Sequence, residues 1–71
     1  MTVTHGNHDF DIGFVAGSYA ASKGVECDNE ECVTLEGEEF YTRAITYIVV
    51  EHQAFLAGFR AGYGCYFAGL V

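Results

Sequence analysis

Proline and tryptophan are both missing from this chain, and cations occur only three times, as Lys23, Arg43 and Arg60. Without proline the strongest helix breaker is gone, so long helices are permitted. Three cations against ten carboxylates leave a formal charge of −7. That imbalance disfavours direct contact with nucleic acid or an anionic membrane. It favours solubility, and a basic protein partner or a cation. Catalytic signatures are lacking too: there is no phosphate loop and no dinucleotide fingerprint. Ser18 and Ser22 fall in helical sequence with no glycine elbow to present them. The chain is read as a non-enzyme without a cofactor. Its first residues lack the basic start and apolar run of a secretory signal, so the expected location is the cytoplasm, with three free thiols. The segment 54–71 carries one charge, Arg60, but is glycine-rich and, at about 18 residues, only just reaches the length of a membrane span. No membrane partner is expected.

Seventy-one residues make a single domain, 1–71, whose core is marginal without tight packing, a metal or self-association. Half of the residues are apolar, and six Phe and five Tyr supply bulk, so the chain should fold.

What the sequence does contain is a motif written twice. Residues 10–17 and 55–62 both read Phe-x-x-Gly-Phe-x-Ala-Gly. On a helix Gly13 and Gly17 share one face, as do Gly58 and Gly62, with the aromatic residues beside them. Glycine inside a helix costs about 0.5–1 kcal/mol relative to alanine, so four of them imply close approach of another backbone. The seam serves either a crossing of two helices within the chain or a homodimer contact.

The periodicity predicts an all-α domain, a small helical bundle of short helix, acidic loop and long second helix. The first helix is expected from Asp9 to Lys23, with Asn7 as N-cap and Gly24 at the left-handed stop. Residues 25–37 are expected as a polar connection, with a short extended turn at 32–35. From Glu38 to Phe67 the apolar positions Tyr41, Ile45, Ile48, His52, Phe55, Phe59, Gly62 and Tyr66 follow helical spacing. That helix would be about 45 Å long against about 22 Å for the first, so it either breaks near Glu51–Gln53 or is covered by a second copy. Residues 44–50 are rich in β-branched and aromatic types, and a buried strand is the competing reading there.

Seven of the ten carboxylates fall between Glu26 and Glu39. One reading is a solvated loop leading into a helix start that welcomes glutamates. The sharper one is a surface that imitates the phosphate backbone and competes for Lys and Arg of a nucleic-acid-binding protein. Glu26, Asp28, Glu30, Glu31, Glu36, Glu38 and Glu39 are its candidate contacts, with Tyr41 or Tyr47 as aromatic anchors. Cys27 and Cys32 with His5 and His8 could be counted as zinc ligands. Their spacing is loose, however, and a helix separates the pairs by about 22 Å. No metal site is assigned, and His52 is read as a histidine of the apolar seam.

In length, charge imbalance, the acidic run Glu26 to Glu39 and the lack of an enzyme motif, the chain resembles the small acidic proteins that phages make against bacterial defences, anti-CRISPR proteins among them. The resemblance implies stoichiometric inhibition: docking on a nucleic-acid-binding effector complex and occupying its DNA path or recruitment surface. The alternative function is a homodimeric structural or adaptor module assembled through the glycine seam.

Overall fold

A computed structural model describes the chain at residues 5–45 and 51–69, and the side chains at 8–43 and 51–69. The described residues are all-helical: α1 (His5–Ser22), α2 (Glu30–Phe40), a wide π turn (Tyr41–Ile45) and α3 (His52–Phe67).

Each boundary has a local cause. α1 ends where Gly24 takes φ 89°, a conformation that costs glycine nothing. There the Gly24 and Val25 amides donate to the carbonyls of Ala21 and Ala20, the paired bonds of a Schellman stop. α2 begins at Asn29, whose side-chain oxygen accepts from the Cys32 amide at 2.8 Å. Glu30 and Glu31 follow in the first turn, where the helix dipole favours negative charge. At the head of α3, Glu51 is extended and its own side chain makes no cap. Its amide donates instead to the carboxylate of Asp9, a buried side chain of α1.

The repeated motif makes the central contact. A methyl group on Gly13 would run into the Phe55 carbonyl, and one on Gly17 into the Phe59 carbonyl. Gly58 and Gly62 meet the carbonyls of Phe10 and Phe14 in the same way. Residue numbers rise together on both sides of the contact, so α1 and α3 run parallel. The two motif copies face each other about a local two-fold axis. The crossing that the sequence left open between one chain and two is thus made within the chain. Phe55 and Phe59, the aromatic residues of the second copy, are completely buried. Burying each such ring stabilises by roughly 1.5–3 kcal/mol, so the two together offset the roughly 2–4 kcal/mol helix cost of the four glycines.

α2 returns antiparallel to α3, with Glu30 near Arg60 at one end and Glu38 near His52 at the other. It buries Val33 and Gly37. Gly37 lies where an added methyl would come within 3.1 Å of the Leu56 and Phe59 side chains. Phe40 adds its ring 5.7 Å from Phe59, and Tyr41 adds its own 5.9 Å from Phe55.

Several expectations are corrected. Residues 30–37, expected within the polar connection, are helical as part of α2, because the Asn29 cap starts that helix eight residues before Glu38. Asn7 lies inside α1, not at its cap, and α1 begins at His5. The apolar seam expected from 38 to 67 is not one helix: α2 widens into the π turn, and Glu51 marks a break within the region anticipated for one. The strand-or-helix question over 44–50 falls largely on residues 46–50, which lie outside the described residues.

Candidate acidic interface

The fold splits α2 into two sides. Val33 and Gly37 face α3, and Glu31, Leu35 and Glu39 lie on the far side, one turn apart and exposed. Glu26 and Asp28 are exposed in the loop before α2. Glu36 and Glu38 are half-buried at the edges of the helix.

Not all seven carboxylates are equally available. Glu38 lies 2.9 Å from His52 Nε2, Glu39 lies 3.3 Å from Arg43, and Glu30 lies 3.9 Å from Arg60. The Glu39–Arg43 pair is exposed on both sides, and such pairs contribute at most about 1 kcal/mol and yield easily to an outside cation. Glu26, Asp28 and Glu31 have no such neighbour among the described residues.

Tyr41 departs from its expected role. Its ring stacks on His52 at 4.0 Å and is half-buried, so it serves the junction of α2 and α3. Tyr47 lies outside the described residues. Among the described residues, the aromatic side chains that do reach the surface are Phe10, Tyr19, Tyr66 and Phe67. Of these, Tyr19 joins Ile12, Val15, Ala16 and Phe40 around an open apolar groove of about 430 Å³. Lys23 lies over the Tyr19 ring, 5.4 Å from its centre.

The glycines Gly13, Gly17, Gly58 and Gly62 all belong to the helix crossing described above. Among the described residues no group of three His, Cys, Asp or Glu is placed to hold a metal ion. His8 is exposed in the first turns of α1, while Cys27 and Cys32 flank the start of α2 beyond its other end. The side chain of His5 is outside the described set. No described helix is long and apolar enough to cross a membrane.

The loop carrying Glu26 and Asp28 is pinned from below. The Tyr63 hydroxyl donates to the Val25 carbonyl at 2.6 Å and accepts from the Cys27 amide at 3.0 Å. Burial raises the Tyr63 hydroxyl above its ordinary pKa, so it stays neutral. Burial, and then the neighbouring Cys32 thiol, push Cys27 up to about 11, so it is a protonated, unreactive thiol at neutral pH. Sequence reasoning missed this anchoring. The one hint was the Tyr63 and Phe67 spacing, four residues apart on the last turns of α3. Compared with family models, curated proteins and solved structures, the chain matches none.

Proposed function

We propose that this protein is a stoichiometric inhibitor, anti-CRISPR-like in action. It binds a nucleic-acid-binding bacterial defence complex and blocks its DNA-binding or recruitment site with an acidic surface. The observation that carries this reading is the outward placement of the carboxylates on the loop and α2. The helix buries Val33 and Gly37 and leaves Glu31 and Glu39 exposed on either side of an exposed Leu35. By helix rise the two glutamates are about 12 Å apart along the axis. Carboxylates on a rigid helix meet Lys and Arg without the ordering cost that a mobile acidic tail carries.

The test is capture from a bacterial lysate by the tagged chain, washed at low and then high salt, with captured proteins identified by mass spectrometry. A basic nucleic-acid-binding complex released by salt is the expected result. The double variant Glu31→Lys/Glu39→Lys, both exposed positions, should weaken that capture and flatten its salt dependence while keeping the helical circular dichroism. Unchanged capture by this variant would remove the acidic face from the contact.

A further inference from the structure

The acidic loop borders an open pocket. Glu26, Cys27 and Asp28 meet Tyr63 and Phe67 around a space of about 310 Å³ beside the C-terminal end of α3. Two properties of this space share one sign. Two carboxylates line it. The exposed ring of Phe67 lines it beside the buried Tyr63, 5.0 Å away, and an aromatic ring attracts cations over its face. The chain's own cations are all placed elsewhere: Lys23 over Tyr19, Arg43 beside Glu39 and Arg60 near Glu30. The walls are also fixed in advance, because Tyr63 is buried and its hydroxyl holds the loop at both Val25 and Cys27.

We propose that this cavity receives the guanidinium of an arginine from a protein partner, stacked on Phe67 and flanked by Glu26 and Asp28. Arginine fits better than lysine because its planar, weakly hydrated head stacks on a ring while its edge hydrogen-bonds carboxylates. The proposal rests on the reading of the protein as a binder of a basic partner, and it names where one side chain of that partner anchors.

The probe is N-acetyl-arginine methylamide, titrated into the isotope-labelled full chain by NMR, with the uncharged citrulline analogue and the lysine analogue alongside. Saturable shifts concentrated at residues 26–28, 63 and 67, larger for arginine than for either analogue, are expected. Phe67→Leu keeps an apolar side chain at an exposed helix end but removes the π face. It should weaken arginine about 2- to 5-fold. Asp28→Asn should weaken it as well. An equal response to citrulline, or shifts spread evenly over Glu31 and Glu39, would overturn the pocket. An arginine affinity untouched by Phe67→Leu would overturn the stacking. If the probe fails while salt-released capture persists, the pocket is wrong and the acidic-face reading stands. If the probe binds but no basic partner is captured, the inhibitor reading falls instead.

Discussion

In the first copy of the repeated motif Phe10 is 36% exposed, whereas in the second Phe55 and Phe59 are fully buried. The glycines of the two copies show no such difference, since all four meet an opposing carbonyl at the same close range. The motif therefore encodes a backbone crossing and leaves ring burial open. Burial is decided by α2, which lies across α3 and brings Phe40 and Tyr41 onto the rings of the second copy only.

The largest effect should come from breaking what the copies share. Gly13→Leu and Gly58→Leu each force a side chain into backbone that cannot step aside, and overpacking of that kind costs upward of about 3 kcal/mol. Both variants should lose their cooperative thermal transition. Gly64, on the same helix, has open space around it, so Gly64→Ala should stabilise by about 0.5–1 kcal/mol. If Gly13→Leu melts normally, the parallel crossing is wrong.

Next comes what the copies do not share. Phe59→Ala should cost about 3–5 kcal/mol in urea unfolding, as for other fully buried rings. Phe10→Ala, at a partly exposed position, should cost about 1 kcal/mol or less. Similar losses at the two sites would mean that α2 does not make the distinction.

The smallest effect concerns the loop tie that extends the second copy. Tyr63→Phe removes the partner of the Val25 carbonyl and the Cys27 amide, for a loss of about 1–2 kcal/mol. The same tie carries a pH dependence. Folding holds Tyr63 and Cys27 in their protonated forms, with values above the unfolded 10.0 and 9.0. Their contribution is fully present below about pH 9 and is lost as pH rises through the folded values. Stability should be flat between pH 7 and 9 with respect to these groups, then decline. The decline should be shallower in Tyr63→Phe.

The helix class and the glycine seam were legible because Gly-x3-Gly with flanking aromatic residues has a single steric use. The direction of the crossing was not legible, since the same pattern serves parallel and antiparallel pairs equally. α2 was missed for a different reason. Its sequence, EECVTLEGEEF, buries little beyond Val33 and Gly37, so its apolar periodicity is faint and its acid content reads as loop. The Asn29 cap was the available signal. The acidic run from Glu26 to Glu39 is plain in the sequence itself. Which of its members face outward, and that Tyr41 turns inward onto His52, depended on the α2 register and so could not be read before that helix was known.

The parallel arrangement of α1 and α3 also bears on how fast the chain can find its structure. The tie from Glu51 to Asp9 spans 42 residues, and that from Ser18 to Gly62 spans 44. A helical hairpin closes through neighbours at its turn, but here the two halves of the seam can meet only after the intervening chain has doubled back. Loop-closure entropy must be met before any glycine contact rewards it. Assembly should therefore be slower than for an up-and-down bundle of equal length.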